Sequence, residues 1–226
     1  MNAPDATTQI STCQTSESHS ARRCFIQAGG RSARMGEDKS WLTLNGRSLI
    51  EHVIAAASQV AGQLSIIINP ASPHRARYQA LAQEWQAEML DDLYDYAGPL
   101  GGFYTALTRC APHESALMLA CDLPFVTPEL LQLLWQIHEA ERAELTIPLD
   151  RRQRAQMLVG VYAATCRERI ARMLAWHELM TDRLCLRVRT RLVTYREYAH
   201  LPGAEQLSVN INTPTDYQSL ASRPRA

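Results

Sequence analysis

Short apolar runs alternate with longer stretches whose apolar residues recur every three or four positions, from Arg22 to about Pro148. That alternation predicts successive βαβ units and a mostly parallel sheet. The expected strands are RCFIQAG (22–28), LSIIIN (64–69), AEMLDD (87–92) and ALMLACD (116–122). Between the first two, Leu49, Ile50, Val53, Ile54, Ala57 and Val60 keep helical spacing, opened by Ser48 as N-cap with Glu51 three residues on. PHRARYQALAQEW and GGFYTALTRC read as the second and third helices. TPELLQLLWQIHEAERA reads as the fourth, with Thr127 capping and Pro128 in the first turn.

After Glu144 the rhythm loosens. ELTIPL and QMLVGVYAA read as a pair of strands around the charged turn DRRQR, followed by a helix at 166–176 and an arginine-rich stretch. A short strand near RLVTY and then SVNINTPTDYQSL, as strand, turn and final helix, close the chain. The fold class expected is α/β: a three-layer, Rossmann-like arrangement with a mostly parallel central sheet flanked by helices. Length fits a single domain over 22–226, and the polar first 21 residues read as a disordered tail with neither a signal peptide nor a membrane span.

Charge changes the picture by what it excludes. With 23 basic and 23 acidic residues and a pI near 7.0, no global field draws the chain to nucleic acid or an anionic membrane. Small molecules or other proteins are the expected partners. The six cysteines show no C-x-x-C pair and no zinc-like spacing, so they read as buried reduced thiols of a cytoplasmic protein.

If the sheet is parallel, the polar residue ending each strand faces one edge, where ligands of open α/β sheets sit. Those residues are Gly29 and Gly30, Asn69, Asp91 with its neighbour Asp92 as a rival, and Asp122. The stretch QAGGRSARMGEDK (27–39) adds three glycines, Arg31, Arg34 and Lys39, and Lys39 is the one lysine beside 22 arginines. Glycines let successive N–H groups turn toward a polyphosphate while the cations neutralise it. The spacing is neither G-x-G-x-x-G nor the phosphate loop G-x-x-x-x-G-K-[ST].

Asp122, in CDLPF, ends a continuous apolar strand immediately before Leu123 and Pro124. A carboxylate there needs a partner or a cation, and a magnesium ion carrying nucleotide phosphates suits it, although a cap or turn role is the plainer alternative. AGPLGG (97–102) either lets backbone approach a ligand or simply opens a helix. In VNINTP, Asn210 and Asn212 project to one side if extended, to bridge loops or read a ligand.

Taken in order, AGGRSARMGEDK, AGPLGG, CDLPF and VNINTP resemble the molybdenum cofactor guanylyltransferase family, over about Arg22 to Leu220. The resemblance implies a nucleotide-binding half at about 22–148 and an acceptor-binding half at about 149–226. It implies nucleotide contacts from Ala28, Gly29, Gly30, Lys39, Asn69 and Asp91, and magnesium on Asp122. Gln27 stands at the base-contacting edge where the family has leucine, and Met157 where a proline often precedes the later strand. A-G-G at 28–30, where cytidylyl relatives read A-A-G, leaves room for a purine.

The activity so implied is transfer of GMP from GTP to the terminal phosphate of molybdenum-bound molybdopterin, with Lys39, Arg34 and Asp122 as catalytic residues and Asn210 and Asn212 toward the acceptor. Molybdenum insertion proteins or recipient molybdoenzymes are the implied protein partners. The alternatives are cytidylyl transfer to the same cofactor, nucleotidyl transfer to a sugar phosphate, or nucleotide sensing without catalysis. The arginines at 151, 152, 154, 187, 189 and 191 read as a solvated face or as a grip on the anionic acceptor.

Overall fold

Strand β1 (Arg23–Gln27) sends Cys24 and Ile26 into one hydrophobic cluster and Phe25 into another, because successive side chains of a strand point to opposite faces. Both faces of the sheet are therefore covered, which accounts for the unbroken apolar runs in its strands. The structure, a computed structural model, describes residues 21–28, 38–94, 97–207 and 209. The tail at 1–20, Gly29, Gly30, Arg31, Arg34, Asn210, Asn212 and the expected final helix lie outside the described residues.

The chain continues with β2 (Thr43–Leu44), β3 (Arg47–Ser48), α1 (Leu49–Ala57), β4 (Gln63–Ile68), α2 (Arg75–Glu84) and β5 (Glu88–Asp91). Next come α3 (Pro99–Thr108), β6 (Ser115–Ala120), α4 (Pro128–Glu141), β7 (Leu145–Pro148), β8 (Val159–Ala163), α5 (Cys166–Ala175), β9 (Thr190–Val193) and the single turn α6 (Tyr195–Tyr198). Among the described residues seven strands form one sheet in the order β5-β4-β1-β6-β8-β7-β9. Pairing is parallel for β5/β4, β4/β1, β1/β6 and β7/β9, whereas β8 runs antiparallel to both β6 and β7. The loosened second half thus extends the same sheet, and the expected strand pair appears as β7 and β8.

Helices α1, α2 and α4 pack Ile50, Val53, Tyr78, Leu81, Leu130 and Leu134 on one face. Helices α3 and α5 pack Leu100, Phe103, Ile170 and Met173 on the other, giving three layers. The expected caps are present: Ser48 N–H donates to the Glu51 carboxylate at 2.8 Å, and Thr127 Oγ1 accepts from Leu130 N–H with Pro128 in the first turn. The β2–β3 hairpin was not expected, although its turn has the residues such a hairpin favours. Asn45 and Gly46 both take positive φ (51° and 83°), the pairing that a two-residue turn between twisted strands requires.

Burial also bears on five of the six cysteines, Cys13 lying outside the described residues. Cys24, Cys110 and Cys166 are buried free thiols, and Cys121 and Cys185 are free and partly buried. Burial pushes the thiols of Cys121 and Cys166 up to about 12, so both keep their protons at neutral pH. Among the described residues, no helix is long and apolar enough to cross a membrane.

Candidate functional site

Because β5, β4, β1 and β6 are parallel neighbours, their C-terminal ends form one rim, with adjacent strands about 4.8 Å apart. Asp91, Asn69, Ala28 and Asp122 follow one another along it. Ala28 N–H donates to Ile67 O at 2.8 Å and Cys121 N–H donates to Gln27 O at 3.0 Å, which fastens the β1 and β6 ends to their neighbours.

Asp122 occupies the turn after β6. Burial raises its carboxyl pKa, and the Lys39 ammonium opposes that rise, so the two charges lie within electrostatic reach of each other. Asp122 Oδ1 is buried and, among the described residues, accepts no hydrogen bond. An ionised carboxylate oxygen in that condition is costly unless a cation completes it, so this site fits a hard divalent ion such as magnesium. Among the described residues no three His, Cys, Asp or Glu side chains group as a metal cage.

Lys39 opens a three-residue 3-10 turn, Lys39–Trp41, capped by Asp38, whose Oδ1 accepts from Ser40 N–H at 3.1 Å. The turn leans on α2. Tyr78, fully buried, places its hydroxyl 2.6 Å from Asp38 Oδ2 and 2.7 Å from Ser40 Oγ. Ser40 Oγ lies 3.2 Å from Cys121 Sγ. The Trp41 ring packs on Tyr78 with centroids 4.8 Å apart, and the Arg77 guanidinium sits 3.9 Å from the Trp41 ring centre. Tyr78, Ser40 and Cys121 were not singled out from the sequence. The available signal was only that a polar turn carrying the lone lysine needs something to hold it.

The other expected site residues have distinct surroundings. Asn69 Oδ1 accepts from Ala71 N–H at 2.8 Å, an Asx turn that leaves its amide N–H groups as the part able to read a ligand. Asp91 is exposed and forms a two-pronged ion pair with Arg75, while Asp92 Oδ1 accepts from Thr105 Oγ1 at 2.8 Å and Tyr94 N–H at 3.2 Å. Gln27 Nε2 donates to Pro99 O at 3.0 Å, so this residue seals the start of α3. A Cβ on Gly102 would come within 2.5 Å of the Gln27 amide, and Gly98 has φ +59°. The glycines of AGPLGG thus serve helix opening and close packing.

Most of the second-half arginines are matched with carboxylates. Arg151 meets Glu205, Arg154 meets Asp150, Arg189 meets Glu144, and Arg191 meets both Glu141 and Glu197. Arg187, which with Arg169, Arg172 and Trp176 lines a cavity of about 290 Å³, pairs with Glu178.

A doubly covered sheet with a lysine and a buried carboxylate converging on its C-terminal rim defines an α/β protein that handles phosphate-bearing ligands. Residues 24–217 match the family described as MobA-like NTP transferase domain, and the chain belongs to that family. It is 31% identical over 202 residues to a molybdenum cofactor guanylyltransferase of Shewanella frigidimarina, covering 88% of this chain and 94% of that protein. It is 27% identical over 195 residues to a probable molybdenum cofactor guanylyltransferase of Carboxydothermus hydrogenoformans, covering 86% and 92%. In fold it resembles the molybdopterin-guanine dinucleotide biosynthesis protein A of Archaeoglobus fulgidus, with a TM-score of 0.74 at 23% identity, over 88% of this chain and 96% of that one.

Proposed function

We propose that this chain transfers GMP from GTP to the terminal phosphate of molybdenum-bound molybdopterin, forming molybdopterin guanine dinucleotide and pyrophosphate. The observation that carries this reading is the convergence of Lys39 and the buried carboxylate of Asp122, from distant parts of the chain, on one end of the sheet. Homologues named for the same reaction support it.

A phosphate oxygen of the pterin attacks the α-phosphorus of GTP, the bond from that phosphorus to the bridging oxygen breaks, and pyrophosphate leaves with the electron pair. Such a transfer asks little covalent work of side chains, so rate comes from alignment and from neutralising phosphate charge. Lys39 supplies a compact ammonium against the phosphates, and Arg34 is assigned a supporting charge in the same loop. Asp122 would hold magnesium, which when bound neutralises phosphate oxygens. Ala28, Gly29, Gly30, Asn69 and Asp91 are assigned to the nucleotide, Gln27 to the edge of its pocket, and Asn210 and Asn212 to the acceptor. The product would pass, in the cytoplasm, to molybdenum insertion proteins or recipient molybdoenzymes.

The test is to incubate the protein with molybdopterin and GTP or CTP, with magnesium or with chelator, and to identify the dinucleotide. Guanine dinucleotide formed only with GTP and magnesium is expected. Cytosine dinucleotide in preference, or no dinucleotide at all, would overturn the reading.

A further inference from the structure

A three-residue 3-10 turn cannot hold itself. Within Lys39–Trp41 the backbone supplies two hydrogen bonds, Trp41 N–H to Asp38 O at 3.1 Å and Leu42 N–H to Lys39 O at 3.0 Å. Runs this short have poor hydrogen-bond geometry and depend on their surroundings. The surroundings here are specific. The one hydroxyl of Tyr78, a residue with no exposed surface, reaches both residues that flank Lys39: Asp38 at 2.6 Å and Ser40 at 2.7 Å. Ser40 in turn reaches Cys121, the residue before Asp122, at 3.2 Å.

These contacts form one chain. The Tyr78 hydroxyl donates to Asp38 Oδ2 and also lies within hydrogen-bond distance of Ser40 Oγ, and the Ser40 hydroxyl donates to Cys121 Sγ. The chain runs from Asp38 through Tyr78 and Ser40 to Cys121, and it spans the two segments that carry Asp122 and Lys39.

We infer that Tyr78 is a positioning residue for the proposed transfer: its hydroxyl fixes the Lys39 turn against the end of β6, so that the ammonium and the Asp122 carboxylate are set at their working separation before nucleotide arrives. The inference rests on the proposed reaction for its kinetic consequence but not for its geometry. Preorganised charge accelerates a reaction because nothing has to reorient as charge develops. A turn free to swing would still offer an ammonium, but not in one place.

The single lysine of the chain makes this directly measurable. Protein grown with lysine carrying ¹³C at Cε gives one side-chain signal, and it belongs to Lys39. In Tyr78→Phe the ring stays on Trp41 and only the hydroxyl is lost. The Lys39 signal is expected to move from its dispersed wild-type position toward the shift of free lysine, with the rest of the fold unchanged by circular dichroism. In the transfer assay the same variant is expected to lose about 10- to 100-fold in kcat, with the KM for GTP altered by less than about threefold, as misplacement of a positioned group does. In a Lys39→Ala background, Tyr78→Phe is expected to cost nothing more, because residues acting as a unit are not additive.

An unchanged Lys39 signal in Tyr78→Phe overturns the inference, as does kcat per folded molecule equal to wild type. A full additional loss in the Lys39→Ala background does the same. If the wild-type protein makes no dinucleotide, the proposed reaction falls while the lysine signal still decides whether Tyr78 holds the turn.

Discussion

Strands β5 and β6 run in the same direction and reach the rim at aspartates, yet the two carboxylates live in opposite circumstances. Asp91 ends an edge strand, is exposed, and is matched by Arg75 from α2. Asp122 follows an interior strand, is largely covered, has an oxygen with no hydrogen-bond donor among the described residues, and feels Lys39. Topology alone made them equivalent. The difference lies in how completely the protein satisfies each charge, and a buried group left incomplete is a place where stability has been given up for function. The arginine-rich second half makes the same point, since Arg151, Arg154, Arg187, Arg189 and Arg191 all find carboxylates.

The sharpest way to break this contrast is at Asp122. Asp122→Asn is expected to lower kcat by about 10²–10³, the usual cost of removing one positioned electrostatic group. Its stability should move the other way. Burial raises the folded-state pKa of Asp122, so the folded carboxyl holds its proton more tightly than the unfolded one, and its ionisation at neutral pH costs the native state. Without metal, the melting temperature of Asp122→Asn should therefore equal or exceed that of wild type. A drop in both activity and melting temperature would assign Asp122 a structural role.

A satisfied buried group should behave differently. His138 bonds Ser115 Oγ at 2.9 Å and Thr146 Oγ1 at 3.0 Å, and burial lowers its pKa from 6.5 to about 4. The unfolded chain then takes up a proton that the folded one refuses, so stability is expected to fall as pH drops from about 6.5 toward 4. A His138→Gln variant should start less stable at pH 7 and show a flatter melting profile across that window.

At α6, Glu197 accepts from Thr194 N–H at 2.8 Å and pairs with Arg191, which holds its carboxyl down to about 2. Its contribution is present above about 4.5 and is lost as pH falls toward 2. Glu197→Gln keeps an oxygen for the helix cap but loses the ion pair with Arg191, and is expected to cost at most about 1 kcal/mol by urea denaturation at pH 7. The smallest effect is expected at Asp91: Asp91→Asn should leave the melting temperature unchanged and keep kcat, with the KM for GTP raised by less than about tenfold. A loss as large as that of Asp122→Asn would make the two strand ends equivalent again.

Much of this was legible in the chain. The apolar runs gave β1, β4, β5 and β6 to within a residue or two, because strands buried on both faces have few ways to satisfy their backbone and side chains at once. Ser48 with Glu51 and Thr127 with Pro128 marked helix starts through local hydrogen bonds that need no tertiary partner. The place of Asp122 on the rim was legible because a parallel sheet forces strand ends to one edge, whereas Lys39 stood out as the one lysine beside a glycine-rich stretch. The Asn45–Gly46 hairpin was also written in local chemistry, although the sequence reading had not singled it out. The reading of Gln27 as part of the pocket edge gave no hint that its amide would seal α3, since that depends on Pro99, 72 residues away.

The chain by itself, through the spacing of its apolar residues and the placing of its caps and glycines, determined a doubly covered parallel sheet and the rim where its polar ends gather. Only the tertiary structure decided which of those polar groups were neutralised and which were left exposed to a ligand, and that a tyrosine of α2 would grip the turn carrying the lone lysine. Local patterns are set by neighbours a few residues apart, whereas the satisfaction of a charge depends on side chains that meet only after the layers have packed.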